Sequence, residues 1–186
     1  DAEVRLNACG HHTVYNALAA SAALLEKVQL ETIVEGLARY TPYSGRFRIE
    51  QVGPLTLIDD SYNANPASTG AALATLAEIK GNGHALVALG DMLELGGDGA
   101  DLHRQIGQKA AQVAEQLYLL GELTSHTAEG AIEAGMTAAS VHRNMDHQAV
   151  AADIVERAQP GDFVLVKGSR GMRMEKIAEL IRQHYA

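Results

Sequence analysis

The sequence predicts an α/β fold: a mostly parallel sheet of about six strands with flanking helices, preceded by a short helical segment. Two observations predict it. From residue 46 onward, short apolar runs alternate with longer stretches whose apolar residues recur at helical spacing, which implies crossover connections and parallel pairing. Before residue 40 the pattern is helical only, and TPYSG separates the two regions because Pro42 and Gly45 interrupt any regular element.

Residues 12–28 carry Val14, Leu18, Leu24 and Leu25 among many alanines, a helix-forming composition that permits close packing. Residues 30–39 continue as a second helix with Ile33, Val34 and Leu37 on one face, and 40–45 form a linker. Residues 46–52 and 55–59 read as strands joined by a tight turn at Gly53 and Pro54. Strands are then expected at 85–89, 117–120, 139–142 and 163–166. Helices are expected at 66–80, 100–115, 124–134, 146–157 and 174–184, the last with Ile177, Ala178 and Ile181 on one face. Right-handed crossovers wind such a chain into a doubly wound, Rossmann-like sandwich, whose ligands bind beyond the carboxyl ends of the strands.

The bulk properties narrow the function. The chain has 186 residues, enough for one domain of ordinary size plus a short extra segment. A net charge of −8 argues against nonspecific nucleic-acid binding, which needs a basic footprint. Cys9 is the single cysteine, so no intrachain disulfide can form, and a reducing cytoplasm fits. No apolar run approaches the roughly 18 residues of a membrane span. The opening DAEVRLNACG lacks a signal-peptide pattern and an initiator methionine, so the chain is expected to begin inside a longer protein. A cytoplasmic monomer that binds neither nucleic acid nor membrane is the resulting expectation.

Three strand-end loops carry the chemistry. DDSYNANP, residues 59–66, packs two carboxylates, a phenol and two amides into one hydrogen-bonding surface. A carboxylate such as Asp60 there can accept two hydroxyls or help hold a magnesium ion, while Asn65 and Pro66 read as a helix N-cap and first turn. GDMLELGG, residues 90–97, offers Asp91 and Glu94 with no neighbouring cation. Such a pair suits an ammonium group, a metal or a backbone donor, and His103 in the following helix can point into the same cleft. VKGSRGMRME, residues 166–175, gathers Lys167, Ser169, Arg170 and Arg173 around two glycines ahead of a helix, a ready anion site. It is not a Walker-type loop, and no such pattern occurs in the chain. The remaining histidines have no ligand spacing, so no zinc site is expected. No nucleophile motif appears either.

In their order and spacing, DDSYNANP, GDMLELG and LVKGSRGMRME resemble the Mur ligase family, specifically its branch that adds D-alanyl-D-alanine. The opening GHHTVYNALAA resembles the family stretch near the end of its central ATPase domain, with Thr13 where asparagine is usual. The resemblance implies that residues 1–40 are the helical tail of that central domain and 45–186 the complete carboxyl-terminal Rossmann-like domain. It implies an ATP- and Mg2+-dependent ligase that joins D-alanyl-D-alanine to UDP-N-acetylmuramoyl-tripeptide through an acyl phosphate in peptidoglycan precursor synthesis.

By the same resemblance, His12, Asn16 and Arg46 reach the nucleotide. Asp60 takes the ATP ribose with Tyr62 and Asn63 beside it, and Lys167, Ser169 and Arg170 face the carboxylate and phosphate side. Asp91 and Glu94, with His103, are assigned to the dipeptide. The phosphate-gripping loop and the main Mg2+ ligands belong upstream, so the isolated chain is expected not to turn over. The competing readings are a sibling ligase adding a single amino acid, a folylpolyglutamate synthase-like ligase, and a noncatalytic nucleotide-binding module. A dinucleotide oxidoreductase would need a Gly-x-Gly-x-x-Gly turn, which is absent.

Overall fold

The computed structural model describes residues 2–186, and the side chain of His12 lies outside the described residues. The chain divides into two compact units, Asp1–Tyr43 and Ser44–Ala186. The first contains α1 (His11–Leu24) and α2 (Leu30–Ala38). The Asn7 side-chain amide donates to the Ala38 carbonyl at 2.7 Å, tying its start to its second helix. Helix α1 leaves Val14, Tyr15 and Leu18 exposed, so its apolar spacing is not matched by burial.

The second unit is a six-stranded sheet. In chain order its elements are β1 (Arg48–Val52), β2 (Leu55–Asp60), α3 (Pro66–Ile79), β3 (Ala85–Gly90), α4 (Gly99–Ala110), β4 (Gln116–Leu120), α5 (Thr124–Glu133), β5 (Val141–His142), α6 (His147–Arg157), β6 (Phe163–Lys167) and α7 (Glu175–His184). The strand order is β1-β2-β6-β3-β4-β5. Only the β1–β2 hairpin is antiparallel, and the other pairings are parallel.

Strand alternation sorts the core into two layers. Ile58, Val87, Leu117, Leu119 and Leu165 pack with α3, α4 and α5. Leu55, Leu57, Leu86, Tyr118, Val164 and Val166 pack with α6 and α7. Both faces are covered, so β3 is buried along its whole length and reads as a continuous apolar run. Helices α1 and α4 end at Leu24 and Ala110, short of the expected 28 and 115, and two strands also differ from the sequence expectation. β1 starts at Arg48 because Phe47 has φ of 49°, outside any strand. β5 shrinks to two residues because Ala138–Ser140 closes a 3-10 turn.

The β5 edge carries a titrating cluster. The His142 ring stacks on Tyr118 with centroids 4.6 Å apart, and its Nε2 lies 2.7 Å from the Gln116 carboxamide oxygen. Tyr118 donates its hydroxyl to Asp153, which also accepts from Arg157. Burial holds the His142 imidazole below its ordinary value, with Arg157 acting in the same sense and Asp153 opposing. The unfolded chain therefore binds this proton first. The His142 contribution to stability is present above the ordinary value of about 6.5 and is lost as pH falls towards the lowered folded value. His142→Gln is expected to flatten the fall in urea midpoint on acidification below that value, compared with the parent chain.

Candidate active site at the carboxyl edge of the sheet

Because β6 lies between β2 and β3, the loops that follow these three parallel strands become neighbours at one edge. Residues 59–66, 90–97 and 167–173, far apart in the chain, meet there. The Lys167 ammonium, at the end of β6, donates to Asp60 Oδ2 at 2.6 Å and to the Asn63 carbonyl at 2.9 Å. Asp60 Oδ1 accepts the Phe47 amide at 2.9 Å, and this bond closes the chain entering β1 onto the end of β2. The Ser169 hydroxyl accepts the Leu93 amide at 2.8 Å and lies 3.3 Å from the Ala64 carbonyl, to which it donates. The Ser169 amide donates to the Asp91 carbonyl. One hydroxyl and one ammonium thus fasten the central loop to both of its neighbours.

The start of α3 is fixed by the expected cap. Asn65 accepts the Ser68 amide at 2.8 Å, Ser68 returns a bond to the Asn65 amide, and Pro66 occupies the first helical position.

The structure places several of the expected site residues away from the open surface. Lys167 and Ser169 are 2% and 5% exposed and face inward, so they do not offer charge or hydroxyl at the surface. Strand pairing on both sides of β6 covers Lys167, and the half-buried Asp60 is its counterion. Asp91 does not stand beside Glu94 as an acid pair. Its carboxylate is buried and accepts the Thr124 amide at 2.9 Å, where a negative charge meets the positive end of α5. Gly121 has φ of 112°, and a Cβ there would overlap that carboxylate. Glu94 is exposed at φ of 64°.

His103 is 1% exposed rather than open to a cleft. Its Nε2 accepts the Met92 amide at 3.0 Å, which leaves Nδ1–H to donate to the Gly99 carbonyl at 2.8 Å. The ring fixes the shape of the 90–97 loop. In the first unit Asn16 is exposed on α1. The role expected for His12 lies outside the described residues.

The groups that remain open are Arg46, Tyr62, Asn63, Leu93, Glu94, Arg170 and Arg173. Tyr62 gathers two of them. The Arg46 guanidinium carbon lies 4.3 Å from its ring centroid and that of Arg170 lies 5.8 Å away. Two permanent cations therefore converge on one aromatic ring where the three loops meet, an arrangement suited to a phosphate or carboxylate beside a flat ring. Among the described residues no group of three His, Cys, Asp or Glu side chains could hold a metal ion. No helix among them is long and apolar enough to cross a membrane.

Sequence reasoning missed the partner of Asp59. Adjacent strand residues face opposite layers, so Asp60 meets Lys167 while Asp59 turns towards α7. There Arg182 donates to Asp59 Oδ2 at 2.6 Å and to Glu50 at 2.7 Å. The Ser61 hydroxyl donates to Asp59 Oδ1 at 2.5 Å, which sets the first turn of the loop carrying Tyr62. Although burial works against it, the hydrogen bonds to Asp59 and Glu50 raise the Arg182 guanidinium above its ordinary value. Two consecutive carboxylates on a strand covered on both faces were the available signal, since each needs its own cation.

Comparison with known proteins identifies the family. Residues 45–170 match the family model described as Mur ligase, glutamate ligase domain. A UDP-N-acetylmuramoyl-tripeptide–D-alanyl-D-alanine ligase of Mycobacterium tuberculosis is 37% identical over 201 residues, covering 97% of this chain and 39% of that protein. The crystal structure of MurF from Acinetobacter baumannii superposes with a TM-score of 0.81 at 33% identity, covering 96% of this chain and 39% of that one. The MurF ligase of Thermotoga maritima in complex with ADP shares the fold with a TM-score of 0.81 at 22% identity, covering 98% of this chain and 40% of that one. The chain thus spans about two fifths of the length of these relatives. With its model match across most of the second unit and its three signature loops joined at one sheet edge, this chain belongs to the Mur ligase family.

Proposed function

We propose that this chain is the carboxyl-terminal part of an ATP-dependent ligase that joins D-alanyl-D-alanine to UDP-N-acetylmuramoyl-tripeptide. In this reading residues 1–40 are the helical tail of a central ATPase domain. The rest of that domain supplies the phosphate-binding loop and most of the Mg2+ ligands. The observation that carries the proposal is the open pair Arg46 and Arg170 about Tyr62, at the edge where the three loops converge. The likeness to ligases of this one activity supports it.

The chemistry follows from the substrates. Phosphorylation of the tripeptide carboxylate turns a poor leaving oxygen into a good one. The dipeptide amine attacks the acyl carbon, the C–N bond forms, the C–O bond to phosphate breaks, and the amine loses its proton. Arg46, with Tyr62, Asn63 and Asp60, attends the nucleotide. Arg170 attends the phosphoryl or carboxylate charge that builds up in transfer. Lys167 and Ser169 hold this arrangement from below.

Glu94 is the exposed acid of the 90–97 loop and receives the dipeptide ammonium, while Asp91 and His103 hold the loop in shape. Glu94→Gln in the complete enzyme is expected to raise the KM for D-alanyl-D-alanine by about tenfold, with the KM for ATP within twofold. Initial-rate kinetics with each substrate varied in turn would check this, and equal effects on both would remove Glu94 from the amine site.

A further inference from the structure

Glu175, the first residue of α7, has an unmet acceptor. Its Oε2 is buried and has no hydrogen-bond partner. Its Oε1 has the Arg170 guanidinium 3.6 Å away, an ion pair too long for a hydrogen bond. Buried carboxylate oxygens are rarely left unpaired, and an exception calls for an explanation. Arg170 is in the complementary condition. Its side chain is 67% exposed, with the loose carboxylate 3.6 Å away and its guanidinium carbon 5.8 Å from the Tyr62 ring centroid. A planar guanidinium presents two parallel N–H groups that match two carboxylate oxygens. A shift of under about 1 Å would bring Arg170 into hydrogen-bonding range of Glu175.

We propose that Glu175 is a positioning residue for Arg170, the two side chains closing into a bidentate clasp that fixes the guanidinium beside Tyr62. The clasp gives the open cation one orientation without removing it from the ligand edge, since a fork bound to a carboxylate still carries N–H groups on its other side. It also explains why Arg170 stays outside while Lys167, three residues earlier, is buried. Lys167 is closed onto Asp60 at 2.6 Å, whereas Arg170 stands 3.6 Å from a partly buried carboxylate that it can meet or leave.

Side-chain 15N NMR on this 186-residue chain tests the clasp directly, with Arg170→Lys identifying the Arg170 signals. Restricted rotation of the Arg170 guanidinium is expected in the parent chain, lost in Glu175→Gln and kept in Glu175→Asp. Identical Arg170 signals in the parent and Glu175→Gln would overturn the proposal, including the case in which Glu175→Gln lowers only the melting temperature. A second readout rests on the ligase reading. In the complete enzyme Glu175→Gln is expected to lower kcat about tenfold with the KM for ATP within twofold, because a small misplacement of a charge-stabilising group acts on the transition state. An unchanged kcat would also overturn it. Failure of the complete parent enzyme to turn over would instead count against the ligase reading and leave the NMR result to decide the clasp.

Discussion

Asp60→Ala is expected to destabilise the chain by about 3–5 kcal/mol, the usual cost of stripping one partner from a buried ion pair. The loss comes mainly from Lys167. Its side chain is 2% exposed, and without Asp60 its ammonium keeps only the Asn63 carbonyl. The Phe47 amide loses its acceptor as well, so the chain entering β1 loosens. The double variant Asp60→Ala, Lys167→Met is expected to recover part of the loss, because no orphaned charge remains. Urea midpoints of the parent, single and double variants check this. Equal destabilisation in the single and double variants would mean that the ion pair is not the source.

Gly107→Ala should destabilise by roughly 3 kcal/mol, the upper end of ordinary overpacking. Helices α4 and α5 cross so closely that a Cβ at Gly107 would overlap the Thr127 carbonyl, and one at Gly130 would overlap the Arg104 carbonyl. Both obstacles are backbone and cannot rotate away, so the helices must separate. The separation would pull on the start of α5, where Thr124 holds Asp91, and so reach the 90–97 loop. Gly70→Ala in α3 is the control, since its nearest neighbour is the flexible end of Lys109. Similar midpoints for Gly107→Ala and Gly70→Ala would contradict the account of this crossing.

The alternation of strands and helices was legible because strands buried on both faces must be apolar throughout, as 85–89 is. The weak β5 was less so: Ala138 and Ala139 fit a 3-10 turn as well as a strand, and only pairing with β4 decides. The start of β1 depends on a bond between Phe47 and Asp60, 13 residues apart, which no local pattern encodes.

The site divides in the same way. Its three loops stood out as dense polar stretches at strand ends, but the direction each side chain takes is set by non-local order. Lys167 read as an anion ligand because the sequence shows a cation beside glycines. It is buried because β6 lies between β2 and β3, which brings Asp60 to it across 107 positions. Asp91 read as a free acid because its partner, the Thr124 amide, is backbone and leaves no mark on composition.

The measurement that tests the central claim most directly is phosphate release by this chain extended upstream to include a phosphate-binding loop. ATP, Mg2+ and UDP-N-acetylmuramoyl-tripeptide would be supplied, with D-alanyl-D-alanine compared against single amino acids. Release that depends on the dipeptide, and that is absent from the 186-residue chain alone, is the predicted result. Release with a single amino acid instead, or none with any acceptor, would contradict it.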